Sequence, residues 1–163
     1  MNKKIIFKSL LIIVWLLVIF VFSSFSSLKS VNDSKNIIKD VTTNIVNINN
    51  DIGLSKIELS ESKLNKIVNK LNYPFRKLMH VSEYFILSIL IIILLKDLNI
   101  RGKNVYIIVI LSCICFATLD ETHQLLVGRT ATYKDVIIDF IGVAIACTIY
   151  KYQNILKRRK LSM

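Results

Sequence analysis

The sequence has few glycines, prolines and acidic residues. Its 163 residues include only four Gly and one Pro, which excludes a collagen-like chain, a flexible linker and a low-complexity segment. Asp and Glu total 11 against 22 Lys and Arg, so the formal net charge is +11. Such a balance is typical of proteins that contact nucleic acid or an anionic membrane surface. Hydrophobic residues make up 53% of the chain, a fraction that excludes intrinsic disorder.

Cysteine is scarce as well, and its spacing indicates no metal or redox site. Cys113 and Cys115 are two residues apart, which on a helix places them on different faces, and Cys147 is distant in sequence. No Cys-x-x-Cys spacing and no glycine-rich phosphate loop occurs. We interpret the thiols as packing groups and expect no cofactor.

The apolar residues fall into four blocks, and each block marks a predicted transmembrane helix. A span needs ~20 mostly apolar residues to cross the hydrocarbon layer. The first block is long enough alone, and the other three reach this length when one adjoining polar turn is included. The sequence therefore predicts an all-α, polytopic membrane protein that forms one domain over residues 1–163. The predicted spans are 5–26, 77–96, 104–123 and 135–152. The alternative is a soluble domain in which these blocks are buried core helices.

The first block also has features of a secretory signal peptide. Lys3, Lys4 and Lys8 precede the apolar run, and the small residues of 23–27 follow it. The run is long for a signal peptide, and no Ala-x-Ala site follows it. We therefore predict a retained helix.

Basic residues at the ends of the spans predict the topology. One cluster precedes the first span, a second lies in the short turn 97–103, and a third follows the last span at Lys157–Lys160. With four spans these clusters share one side, which the positive-inside rule assigns to the cytoplasm. Both termini are therefore predicted to be cytoplasmic. The loop 27–76 is predicted to lie outside, although it too contains basic residues.

This outer loop has helical periodicity. Apolar residues recur at helical spacing from Ile37 to Ile48 and again from Leu64 to Leu71, and the segment 49–53 separates the two runs. We expect two amphipathic helices ahead of the span that begins at residue 77. They lie on the outer membrane surface or pack on the bundle as a lid.

Polar residues within the spans form helical stripes. His80, Glu83 and Tyr84 follow Arg76 at helical spacing, Asp120 and Gln124 are one turn apart, and Asp139 is one turn from both Asp135 and Gly142. With four spans, all three stripes lie near the outer side. Twelve residues separate Asp139 from the basic end at Lys151, which is ~18 Å of helix and places Asp139 below the outer edge.

Charged side chains at this depth must share a polar pocket. A single charge at the bilayer centre costs at least ~2.5–3.5 kcal/mol on insertion scales. Glu83 and Asp139 therefore face the bundle interior, paired with Arg76, Lys77, His80 or Arg129. Gly142 lets a neighbouring helix approach closely beneath them.

These motifs together resemble the VanZ-like family. The resemblance covers the four spans and rests on Trp15 to Phe20 followed by Ser23-Ser24, on Arg76-Lys77-x-x-His80-x-x-Glu83-Tyr84, on Asp120-Glu121-x-x-Gln124 followed by Arg129, and on Asp135-x-x-x-Asp139-x-x-Gly142. The family is named for a membrane protein that is encoded with glycopeptide-resistance genes. Its founding member lowers susceptibility to teicoplanin-type lipoglycopeptides, and most members have Asn where this chain has Asp139.

The resemblance implies a role at the cell envelope, and several mechanisms fit the residues. The outer pocket binds or shields an envelope lipid, a lipid-linked envelope precursor or the acyl tail of a lipoglycopeptide. Alternatively the chain is an enzyme acting on a lipid-linked substrate, a transporter subunit, or a bundle whose ion pairs are structural only. The partners expected are thus membrane lipid or lipoglycopeptide and not nucleic acid, since the basic C-terminal run binds anionic lipid.

Each mechanism assigns roles to the same residues. The candidate catalytic residues are His80, Glu83, Asp120, Glu121 and Asp135. The candidate binding residues are Arg76, Lys77, Tyr84, Gln124, Arg129 and Asp139. His80 and Glu83 with Asp120, Glu121 or His123 form a conceivable cation site, but they match no standard zinc motif, and we predict no metal.

The topology is testable with reporter fusions. Reporters placed in the loop 27–76 and in the connection 124–134 should be active outside the cell, and reporters in the turn 97–103 and at the C-terminus should be active inside. Reporters that place His80 and Asp135 on opposite sides of the bilayer would contradict the shared pocket.

Overall fold

The computed structural model describes residues 3–24, 27–53, 59–127 and 133–161, and within these residues it contains helices joined by turns and no strand. The helices are α1 (Lys3–Ser23), α2 (Ser27–Asp51), α3 (Glu61–Asp97), α4 (Lys103–Leu126) and α5 (Tyr133–Leu161). The all-α prediction is confirmed. The chain divides into two compact units, a main unit of residues 1–24 and 79–163 and a loop unit of residues 25–78.

Three described helices are long and apolar enough to cross a membrane: α1, α3 and α4. They contain most of the predicted spans 5–26, 77–96 and 104–123. The predicted fourth span, 135–152, lies within α5, which is not among the three. Helix α5 also continues to Leu161, because its basic end contains no Gly or Pro to stop it. Several apolar helices of this length are typical of a multi-pass membrane protein.

The structure differs from the prediction at the start of the second span. The apolar run from Leu64 to Leu71 is not a separate amphipathic helix but the first part of α3. Its N-cap is Ser60, whose side-chain oxygen accepts a hydrogen bond from the Lys63 amide at 3.4 Å. Pro74 lies inside α3 and removes one backbone donor, but no glycine accompanies it, and the helix continues.

The loop unit has a small core of its own. Ile38 of α2 packs with Leu64 and Val68 of α3, and the Ser34 hydroxyl donates a hydrogen bond to the side-chain oxygen of Asn72 at 2.6 Å. Four large apolar residues of α2 are exposed: Ile37, Val41, Ile45 and Ile48. The predicted amphipathic helix is confirmed, and it keeps most of its apolar face outside the unit's core.

The core of the main unit follows a repeating four-residue spacing. On α4 the buried residues are Val105, Val109, Cys113 and Ala117. They pack against the following buried residues of the other helices: Ile19 of α1; Tyr84, Leu87, Ile91, Ile92 and Leu95 of α3; Val143, Ala146 and Tyr150 of α5. Because each set recurs every three or four residues, one face of each helix is buried.

Helix α1 contacts α3 at two points. The Trp15 indole N–H donates to the backbone oxygen of Glu83 at 3.0 Å, and the Lys8 ammonium pairs with Asp97 at 2.5 Å. These contacts place the start of α1 beside the end of α3, so the two helices are antiparallel. Most large apolar side chains of α1 remain exposed, as expected for a helix that faces lipid.

Helix α5 lies very close to the backbone of α3 at Gly142. A Cβ atom at this position would lie 2.1 Å from the backbone oxygen of Val81 and 2.8 Å from the amide nitrogen of Phe85. Both are backbone atoms of α3, which cannot move aside as a flexible side chain does. The prediction that Gly142 permits close helix packing is therefore confirmed.

We predict that Gly142→Ala destabilises the main unit. The substitution improves helix propensity by up to ~1 kcal/mol, but overpacking costs ~1–3 kcal/mol and the clash here is with backbone. The thermal unfolding midpoint of the purified protein in detergent should fall. Ala144→Val, which adds volume at an exposed position two residues along α5, is the matched control and should leave the midpoint nearly unchanged. An equal midpoint for both variants would contradict the close packing.

Candidate functional site

The buried face of α4 changes from apolar to polar in its last turns. It is apolar from Val105 to Ala117 and then continues with the buried polar side chains of Asp120, Glu121 and Gln124. The Gln124 amide donates a hydrogen bond to the Asp120 carboxylate at 2.8 Å, one helical turn away. The polar end of this face lies in the bundle interior, as the helical stripes predict, and it defines the position of the candidate site.

Asp139 of α5 lies beside this polar end and is the most buried carboxylate described. Only 1% of the residue is exposed, one turn before the close contact at Gly142. Neither of its carboxylate oxygens has a hydrogen-bond partner among the described residues. A buried acceptor without a hydrogen-bond partner lowers the stability of the folded state, because it has lost its hydrogen bonds to water and has not replaced them.

His80 of α3 lies between two carboxylates. Its Nδ1 atom is 3.6 Å from Asp139 and 3.7 Å from Glu83. Both distances are within ion-pair range when the imidazole is protonated, and both are longer than a good hydrogen bond. His80 therefore connects α3 to α5 electrostatically at the level of the polar cluster.

Tyr84 completes the interior of the cluster. It is fully buried, and its hydroxyl has no hydrogen-bond partner among the residues that the structure describes. It lies beside Glu83 in sequence and lines cavities with Asp120 and Asp139. Asp139 in turn interacts with carboxylates on all three helices: Glu83 on α3, Asp120 and Glu121 on α4, and Asp135 on α5. We refer to these acids with His80, Tyr84 and Gln124 as the polar cluster.

An apolar groove of about 470 Å³ opens beside the polar cluster, between α1 and the other helices of the main unit. Its apolar walls are formed by Ile13, Leu16, Leu17, Ile19 and Phe20 of α1 with Phe116 and Leu119 of α4. Its polar members are Tyr84, Asp120 and His123. The His123 ring lies against the Phe20 ring with their centroids 4.2 Å apart. The groove thus joins an apolar surface to one edge of the polar cluster.

The structure brings together most of the residues that the sequence singled out. His80, Glu83, Tyr84, Asp120, Glu121, Gln124, Asp135 and Asp139 all belong to the main unit and to the polar cluster. Arg76 and Lys77 lie on the part of α3 that belongs to the loop unit, where the Lys77 ammonium sits 5.4 Å from the centre of the Tyr73 ring. Arg129 lies outside the described residues.

The groove itself could not be found from the sequence. Phe20, Phe116 and Leu119 are apolar residues within apolar helices, and nothing in their spacing distinguishes a groove wall from a lipid-facing surface. His123 was a candidate only as a metal ligand. Among the described residues, no three His, Cys, Asp or Glu side chains have an arrangement that holds a metal ion.

The comparisons with known proteins assign a family to this arrangement. A family model described as VanZ/LLP1 matches residues 8–157, which include the polar cluster, the groove and Gly142. No curated protein matches the chain, and no solved structure matches it. Because the family model covers most of the sequence, the chain belongs to the VanZ/LLP1 family.

Proposed function

We propose that this protein binds one acyl chain of an amphiphile at the outer leaflet of a bacterial plasma membrane. In this proposal α1, α3, α4 and α5 are four spans, both termini are cytoplasmic, and the polar cluster lies near the outer surface. The bound amphiphile is an envelope lipid or the acyl tail of a teicoplanin-type lipoglycopeptide. Its capture lowers susceptibility to the drug.

The observation that carries the proposal is that the apolar groove lies directly beside the polar cluster and shares Tyr84 and Asp120 with it. An acyl chain is matched by the apolar walls between α1 and α4, and its polar attachment point is matched by Asp120 and His123 at the groove's polar edge. The volume of about 470 Å³ is within the ~300–1,000 Å³ range of small-molecule sites. A groove with apolar walls and one polar edge is suited to an amphiphile and poorly suited to a fully polar substrate.

The geometry also supports a shielding role. The groove is bordered by α1, most of whose large apolar side chains are exposed and available to lipid. A tail can therefore enter sideways from the hydrocarbon layer without crossing the polar surface. A lipoglycopeptide held in this way is kept from inserting its tail elsewhere in the membrane.

We predict that filling the groove abolishes this function. Leu119→Trp adds a large side chain to a groove wall whose residue is 58% exposed, so the core is not disturbed. Binding of teicoplanin to the purified protein should weaken at least roughly 10-fold, which is about 1.4 kcal/mol, and susceptibility of the host should rise at equal membrane abundance.

The control for this variant is Leu111→Trp. Leu111 lies on the same helix, is 62% exposed and does not line the groove. It should bind teicoplanin as the unmodified protein does. A glycopeptide without an acyl tail should bind neither variant nor the parent. Equal binding by Leu119→Trp and Leu111→Trp would refute the groove as the tail site.

A second candidate function, an enzyme acting on a lipid-linked envelope substrate, is favoured by the position of His80. The His80 imidazole is close to the carboxylates of Glu83 and Asp139, the kind of neighbours that support a general base, and Asp120 and Glu121 belong to the same cluster. A base of this kind needs a substrate proton within hydrogen-bond reach.

Charge-removing substitutions distinguish binding from catalysis. Glu83→Gln and Asp120→Asn keep the size of the side chain, and the Asn oxygen can still accept the Gln124 hydrogen bond. For a binding protein we expect at least one variant to change teicoplanin susceptibility only slightly. An enzyme that uses these groups should lose ~10²–10⁴-fold in rate with each.

Membrane abundance is measured in parallel for these variants and for alanine at the same positions. If every change in susceptibility follows a loss of protein from the membrane, the cluster is a structural network, and both the binding and the catalytic functions are wrong.

A further inference from the structure

A second cavity lies at the opposite end of the main unit from the polar cluster. It has a volume of about 540 Å³ and is formed where the turn between α3 and α4 meets the last part of α5. The residues that matter for its chemistry are Arg101, Lys103, Lys151, Lys157, Tyr150 and Asn154. We refer to it as the basic cavity.

The side chains around the basic cavity carry charge of one sign. Arg101 and Lys103 come from the turn and the start of α4, and Lys151 and Lys157 come from α5. No Asp or Glu is among the described residues that line it. Like charges gathered around a concave surface repel one another, and an anion in the cavity relieves this repulsion. A guanidinium with several ammonium groups is the typical surrounding of a phosphate.

The backbone at the start of α4 adds to the positive electrostatic potential of the basic cavity. Helix α4 begins at Lys103, directly at the cavity, and Gly102 before it has a φ of 69°, a left-handed conformation that favours glycine. No described side chain caps the first turn of α4, and a Cβ on Gly102 would meet nothing within 4 Å. The first-turn amides of a helix carry the positive end of its dipole and bind anions readily.

The turn that presents Arg101 and Gly102 is fixed by hydrogen bonds at the end of α3. The Ile100 amide donates to the Leu95 oxygen at 3.0 Å and the Asn99 amide to the Lys96 oxygen at 3.1 Å. Asn99 has a φ of 59°, which completes a Schellman-type cap. The basic side chains thus project from a turn of defined conformation.

Tyr150 forms a rigid wall of the basic cavity. It is 5% exposed, the ring of Tyr106 lies at 5.6 Å from its ring, and the Lys96 ammonium sits 4.8 Å from its ring centre. Lys96 is not among the described residues that line the cavity, but it adds positive charge at the Tyr150 ring. Asn154, half-buried, offers an amide beside the cations.

We propose that the basic cavity binds the phosphate group of an anionic membrane lipid. The cavity lies at the first turn of α4, a helix long and apolar enough to span a membrane, so it is at the level of lipid headgroups. Basic pockets between membrane helices are suited to anionic headgroups, and each Lys or Arg near such a surface contributes to binding. A soluble phosphate compound has the same binding chemistry, and the experiment must separate the two sources.

The test uses the full chain in nanodiscs of zwitterionic phosphatidylcholine. Short-chain phosphatidylglycerol is titrated by calorimetry, and inorganic phosphate is titrated separately. For Arg101→Gln combined with Lys151→Gln, we expect phosphatidylglycerol to bind at least ~10-fold more weakly than to the parent, from the contribution of two cations near the membrane surface. Inorganic phosphate should bind the parent more weakly than the lipid does.

The matched control is Lys63→Gln combined with Lys66→Gln, which removes the same charge from exposed positions of the loop unit. It should bind phosphatidylglycerol as the parent does, and Arg101→Lys with Lys151→Arg should retain most of the affinity. An equal loss in the control would show that total charge alone attracts the lipid and would overturn the site. Inorganic phosphate binding as tightly as the lipid would overturn the lipid as its source.

Discussion

The burial of carboxylates within an apolar bundle is the constraint on which the architecture of the main unit depends. Asp139 is 1% exposed, and Asp120 and Glu121 are nearly as buried. None of them can be turned toward hydrocarbon without a cost of at least ~2.5–3.5 kcal/mol for the charged form on insertion scales. The helices that carry them must therefore place their polar ends at one level. This requirement fixes the register of α3, α4 and α5 more strictly than apolar packing does, because apolar residues of similar size can replace one another.

Gly142 makes this register possible at close range. Without a Cβ, α5 can lie against the backbone of α3 at Val81, and one turn earlier Asp139 then comes to 3.6 Å from His80. Helix α1 contributes no charged side chain to the cluster. It is held instead by the Trp15 indole on a backbone oxygen and by Lys8 on Asp97. An apolar helix held at a few points leaves space beside its neighbours, and the groove occupies that space.

The sequence placed the residues of the polar cluster on shared helix faces, because residue numbers alone give both the position around a helix and the distance along it. Asp120 with Gln124, and Asp139 with Gly142, share faces in any regular helix, and the cost of charge in lipid then forces those faces inward. The continuation of α3 through Pro74 could not be predicted from the sequence. Proline usually ends or kinks a helix, and its tertiary surroundings decide whether the helix continues. The basic cavity could not be predicted, because it depends on the turn between α3 and α4, where Asn99 and Gly102 have positive φ angles, lying beside the last part of α5. The groove required the placement of α1, which depends on contacts of Trp15 and Lys8 with distant residues of α3 that the sequence does not reveal.

Asp139 gives the polar cluster of this chain its particular chemistry. The resemblance to the VanZ-like family implies Asn at this position in most members, and an Asn amide has two N–H donors. A carboxyl group has at most one O–H donor, so Asp139 offers fewer donors to the neighbouring carboxylates in either protonation state. His80 and the Gln124 amide are donors close to these acids, and the Gln124 amide is already bonded to Asp120. Asp139 is not among the described residues that line the groove, so this difference acts inside the polar cluster, where Asp139 faces His80 of α3.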